Sequence, residues 1–63
     1  MPDPDILETH YDPDRDAWAI FNAAGERLAL TKIGPAQVAN EGKGKTFSDK
    51  LRWVIETGQV LRG

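Results

Sequence analysis

The sequence predicts an α+β domain: a three-stranded antiparallel β-meander packed against one main C-terminal α-helix, with a short extra helical turn before it. Three observations predict it. The stretch from Trp18 to Leu30 alternates side-chain character on both sides of an Asn22-Ala-Ala-Gly25 turn signal, the pattern of a half-buried hairpin. Upstream, from Ile6 to Tyr11, Leu7, Thr9 and Tyr11 form an alternating face that suits a first strand beside that hairpin. Downstream, Phe47, Leu51, Val54 and Ile55 fall within an arc of about 100° on a helix running from about 46 to 57, a single core-facing stripe.

Residues 1–5, with two prolines and two aspartates, read as a loose N-terminus. Asp12-Pro13-Asp14-Arg15-Asp16 supplies turn chemistry: aspartate bonds its own following backbone and proline presets φ. The hairpin strands are placed at about 17–22 and about 27–32, with Gly25 taking the positive φ that a short loop needs near its end. Trp18 and Ile20 point to one face, and Ala19, Phe21 and Ala23 to the other. Beyond the turn, Leu28 and Leu30 are expected to share a face opposite Arg27, Ala29 and Thr31, so that the main helix lies across Trp18, Ile20, Leu28 and Leu30. Gly34-Pro35 leaves the sheet, and Ala36–Glu41 can make a turn or two of helix, anchored by Val38, before Gly42 stops it. Thr46 and Asp49 have capping-box spacing at the start of the main helix, and Gly58 closes it. Gln59–Gly63, with Val60 and Leu61, is expected to be a short return strand or a tail over the core.

A chain of 63 residues is one domain, and at this size folding hides only about 60% of the surface that the unfolded chain exposes. With no cysteine, neither a disulfide nor a thiolate metal site can staple so small a core. Tight packing or self-association must hold it, so a homodimer is one expectation. No segment approaches the roughly 20 apolar residues of a membrane span, and Met-Pro-Asp-Pro-Asp lacks the regions of a signal peptide. A cytoplasmic protein with no membrane partner is predicted. The net charge of −2 hides a split. In residues 1–26 seven acids stand against Arg15, leaving −6, whereas residues 27–63 hold seven bases against three acids, leaving +4. Two poles of this kind either attract one another across the fold or steer partners of opposite sign.

Two motifs tempt and fail. Asp12-x-Asp14-x-Asp16 opens like a calcium loop, but Ala17 stands where that loop needs glycine and Ala23 where it needs a bidentate glutamate. No metal is expected there. The run Ala39-Asn-Glu-Gly-Lys-Gly44-Lys45-Thr46 satisfies a loose phosphate-loop pattern, yet Ile33–Val38 is not the buried strand that must precede such a loop, and 63 residues cannot supply its parallel sheet. It is better described as a basic loop whose Lys43 and Lys45 are candidates to meet a phosphate or an acidic partner. His10 is the only histidine and no nucleophile motif accompanies it, so neither an enzyme nor a cofactor is indicated.

The strand from Arg27 to Ile33, the glycine- and lysine-bearing loop and the run Lys45-Thr-Phe-Ser-Asp-Lys-Leu-Arg-Trp-Val-Ile-Glu56 resemble the second half of the ribbon-helix-helix DNA-binding family. That resemblance implies a dimer whose paired strands enter the major groove, with Arg27 and Thr31 facing bases and the amides near Thr46–Ser48 holding a phosphate. Pro35–Glu41, with fewer than two turns, departs from the longer first helix of that family, and the upstream hairpin has no place in it. In size, acidity and lack of catalytic groups the chain is also similar in kind to the inhibitors that phages and mobile elements encode, anti-CRISPR proteins among them. The function expected is therefore that of a small non-enzymatic binder of another protein or of a protein–nucleic acid complex, a regulator or inhibitor that occludes its partner's surface; direct DNA binding is the alternative. Asp12, Asp14 and Asp16 are the expected partner contacts on the acidic side. On the helix, Trp53 falls outside the core stripe beside Arg52, and these two are expected either as partner contacts or, for Trp53, as cover for the Pro35–Glu41 segment.

Overall fold

The computed structural model describes residues 6–61; the segment expected to be loose, 1–5, and the last two residues lie outside them. Three strands come first, β1 (Leu7–Asp12), β2 (Ala17–Asn22) and β3 (Arg27–Thr31), followed by α1 (Pro35–Glu41) and α2 (Phe47–Glu56). The sheet is an antiparallel meander of order β1-β2-β3, so the predicted α+β architecture is what the chain adopts.

Both turns are built by side chains of the first strand of each pair. At β1–β2, Asp12 Oδ1 accepts from the amides of Asp14 (3.0 Å) and Arg15 (3.4 Å), and Asp16 closes the turn at φ 49°, a left-handed conformation that aspartate tolerates better than most residues. At β2–β3, Asn22 Oδ1 accepts from Ala24 and Glu26, and the Gly25 amide donates to the Asn22 carbonyl, each at 3.0 Å. Gly25 then takes φ 83°, giving a tight turn followed by a left-handed glycine, as a short hairpin loop requires.

α1 begins on Pro35, whose missing N–H costs nothing there. α2 has the full capping box: Asp49 N–H donates to Thr46 Oγ1 (3.1 Å) while Thr46 N–H donates to Asp49 Oδ2 (3.3 Å). Its far end is a Schellman closure. Gly58, at φ 73°, donates to the Ile55 carbonyl and Gln59 to that of Val54.

Residues directly opposite one another across strands share a face. Pairing of Thr9 with Ile20, Tyr11 with Trp18, Ile20 with Ala29 and Trp18 with Thr31 therefore puts these side chains on the side that the helices cover. There Leu7, Ile20, Val38, Leu51 and Val54 form the main core, joined by Ala29, Ile33, Phe47, Trp53, Ile55 and Val60. Ile20, Val38, Leu51 and Val54 have no exposed surface. α2 crosses the sheet diagonally: Ser48 Oγ at its start accepts from the Leu7 amide on β1 (2.9 Å), and just past its end the Gln59 carbonyl accepts from Thr31 Oγ1 on β3 (2.6 Å).

The third strand corrects the sequence expectation. A register shift beside Ile20 and Phe21 leaves Leu28 as an extra residue between Arg27, opposite Phe21, and Ala29, opposite Ile20. Such a bulge reverses which residues meet the core. Ala29 and Thr31, expected on the far face, lie under the helices, whereas Leu30 pairs with Ala19 on the other face and packs with Ala17, Ala19 and Phe21. Leu28 is left 46% exposed. Trp18 is on the helix side, as expected, but is only half-buried: it lies edge-on to Tyr11 with ring centroids 5.3 Å apart, and its indole sits against Gly34. The return of the chain after α2 is a single bridge in which Leu61 donates to the Leu30 carbonyl, extending the sheet by one residue beyond β3.

Candidate functional site

The acidic residues singled out in the sequence are gathered by the β1–β2 turn. Asp12 has its carboxylate engaged by the turn amides and, through Oδ2, by the Arg15 guanidinium at 2.9 Å. Those bonds, that of Arg15 foremost, hold it below the usual carboxylate range. Asp16 Oδ1 accepts from the Tyr11 hydroxyl at 2.6 Å, and this bond to an anion pushes the Tyr11 phenol above its ordinary value. Lys32 crosses from the end of β3 to donate to the Asp16 carbonyl at 2.7 Å, with its ammonium 3.9 Å from the carboxylate. Asp14 is exposed. The turn is therefore held at both ends, yet its Asp14 and Asp16 carboxylates face solvent, the Asp16 side chain at 81% exposure. Beside them stands the half-exposed ring of Tyr11, backed by Trp18.

The other candidates are placed elsewhere. Lys43 and Lys45 are exposed in the loop that leads into α2, whose start is tied to Leu7. That is the opposite end of β1 from the acidic turn, a separation of roughly 17 Å for a six-residue strand. The loop is shaped by packing: a side chain at Gly42 would run into Lys50 and the Val38 carbonyl, and one at Gly44 into Asp49. Of the amides near Thr46–Ser48, expected to hold a phosphate, that of Thr46 is already engaged by Asp49 Oδ2 in the capping box. The bonds from Thr46, that of its amide foremost, hold the Asp49 carboxyl below its ordinary value, so the helix start already carries an anion. Thr31, expected to face bases, has no exposed surface. Arg52 lies 3.9 Å from Asp49, and Trp53 is half-buried against the main core.

One feature escaped sequence reading. On the sheet face that the helices leave open, His10 meets Phe21 edge-on at 5.3 Å and approaches Glu8 at 3.3 Å. Glu8, His10, Phe21, Asn22, Ala23 and Gly25 line an open groove there. The juxtaposition depends on the β1–β2 register, which the geometry of the Asp12–Asp16 turn fixes and the alternation within β1 alone does not. Among the described residues no group of three or more acidic or histidine side chains is arranged to hold a metal ion, and no helix is long and apolar enough to cross a membrane. Comparison of the chain with known protein families, with curated proteins and with solved structures finds no match.

Proposed function

We propose that this chain is a small non-enzymatic protein of the cytoplasm that binds a basic surface on another protein, or on a protein–nucleic acid complex, and occludes it as an inhibitor or accessory regulator. Inhibition of a host nucleic-acid-binding machine, in the manner of an anti-CRISPR protein, is its sharpest form. The acidic turn carries this reading. Its backbone is fixed by Asp12 and Lys32 before any partner arrives, while Asp14 and Asp16 stay open to solvent. Little conformational freedom is then lost on binding, which is what makes a charged epitope effective. The adjoining Tyr11 and Trp18 supply the aromatic surface that most often anchors an interface.

The test is competition. A protein captured on the immobilised chain should bind nucleic acid on its own and release it when the chain is added, with the Asp14→Asn, Asp16→Asn double variant competing poorly. Micromolar or tighter binding of the chain itself to duplex DNA at low salt, weakening steeply as salt rises, would instead favour the DNA-binding regulator.

A further inference from the structure

β1 is an edge strand, and the hydrogen bonds around it show which way its backbone groups point. The Leu7 amide donates outward to Ser48, and its cross-strand neighbour Asn22 uses both backbone groups toward the β2–β3 turn. Leu7 and Asn22 are thus a non-hydrogen-bonded pair. In an antiparallel ladder such pairs alternate with bonded ones, so Glu8, His10 and Asp12 bond to β2 while Thr9 and Tyr11 direct their N–H and C=O groups to the outer side. No bond to any other described residue occupies them. The pairing of β1 with β2 is regular from Leu7 to Asp12, and the strand carries no proline, lysine or bulge to blunt its edge, only the negative charges of Glu8 and Asp12.

We propose that this edge is a docking strand for an extended, basic segment of a partner protein, which adds to the sheet beside Thr9 and Tyr11. The inference rests on the acidic-pole reading and specifies its mode of contact. Charge selects the occupant. Glu8, 62% exposed at its side chain, lies along the strand, and Asp14 and Asp16 stand at its far end, so lysines or arginines alternating along an added strand have carboxylates to meet. A second copy is disfavoured by the same charges. The twofold register that uses the free groups of both Thr9 and Tyr11 sets Glu8 of one copy against Asp12 of the other and opposes the two His10 rings, and like charges directly opposed destabilise a sheet.

The experiment follows amide hydrogen exchange by NMR while a peptide of alternating lysine and valine, long enough to span β1, is titrated into the full chain at low salt. In the free protein the amides of Thr9 and Tyr11 should exchange much faster than those of Glu8, His10 and Asp12. Peptide should slow both, and a version N-methylated along its pairing edge or with glutamate for lysine should not. Thr9→Pro removes an N–H that the β1–β2 ladder does not use, a position where an edge strand tolerates proline, and should weaken peptide binding by about tenfold or more. If that variant fails to fold, the N-methylated peptide on the wild-type chain makes the same test. Peptide binding that leaves Thr9 and Tyr11 exchanging as before would overturn the proposal, as would equal binding of the glutamate peptide. Protection of both amides that grows with protein concentration alone would assign the edge to a second copy, against the proposal. Failure of the wider functional reading shows separately, as duplex DNA binding by the chain itself, and does not involve these amides.

Discussion

Ile20, Leu51, Val38 and Val54 have no exposed surface, and in a domain of this size, where net stability is a small difference between large terms, the loss of any one of them is felt by the whole fold. Leu51→Ala should cost about 3 kcal/mol, because the cavity collapses only in part. Thermal melting by circular dichroism should show a protein largely unfolded well below the wild-type midpoint. Trp53 is half-buried against the same core. Its truncation to alanine should cost less, about 2 kcal/mol, scaled down from the full-burial value; a melt unchanged from wild type would mean that the ring contributes nothing to packing. Asp49 gives a pH signature. The bonds it accepts from Thr46 hold its folded pKa below the unfolded value of 3.8, as those of Arg15 do for Asp12. Their stabilising effect is therefore complete above about pH 4 and is lost as pH falls through the depressed folded values. Melting temperature should be flat toward neutral pH and drop only in acid, with a shallower drop in Asp49→Asn, which keeps the side-chain shape and cannot titrate.

The elements differ in how far local chemistry determines them. The Asn22–Gly25 turn, the Thr46–Asp49 capping box, the Pro35 start of α1 and the Gly58 closure of α2 were legible because each is a contact between residues a few positions apart. β3 was not. Leu28-Ala29-Leu30 is apolar in both alternation phases, so the sequence cannot say which phase meets the core, and the bulge at Leu28 chose the one that turns Ala29 and Thr31 toward the helices. What makes that phase acceptable is remote: the Thr31 hydroxyl donates to the Gln59 carbonyl, twenty-eight residues on, and the Leu30 carbonyl is capped by Leu61. The two leucines therefore part company. Leu28→Lys should melt within a few degrees of wild type, since that side chain is 46% exposed, whereas Leu30→Lys, at a position 4% exposed, should unfold the domain by burying a charge beside Ala17 and Ala19. Equal melting of the two variants would show that Leu28 and Leu30 share one environment after all. Of the candidate site, the acidic turn was legible as turn chemistry. The free edge of β1 was not, because it depends on which residues bond across to β2.

Across the whole molecule, the two oppositely charged halves of the chain meet at the acidic turn, where Lys32 reaches Asp16. Lys32 with Asp16 is an ion pair that joins the halves, and it is exposed and long at 3.9 Å, while Arg15–Asp12 and Arg52–Asp49 each lie within one half. The attraction within the Lys32–Asp16 pair thus contributes little to holding the fold, as exposed pairs generally do. The exposure of Asp14 and Asp16 leaves the acidic turn able to act at a distance on a basic partner, over roughly 10 Å at ~0.1 M salt. Stability and association should therefore respond to salt in opposite degrees. Raising the salt from about 0.05 to about 0.5 M shortens the screening length to a few ångströms and should move the melting temperature by no more than a few degrees in scanning calorimetry. Over the same range the association rate with a basic partner, followed by stopped-flow fluorescence of Trp18 and Trp53, should fall steeply while dissociation changes little. In the Asp14→Asn, Asp16→Asn variant the association rate should start lower and lose most of its salt dependence. A melting temperature that falls sharply with salt while association stays constant would show the poles acting on each other, as attracting faces of one fold, and would remove the acidic turn from any role in steering.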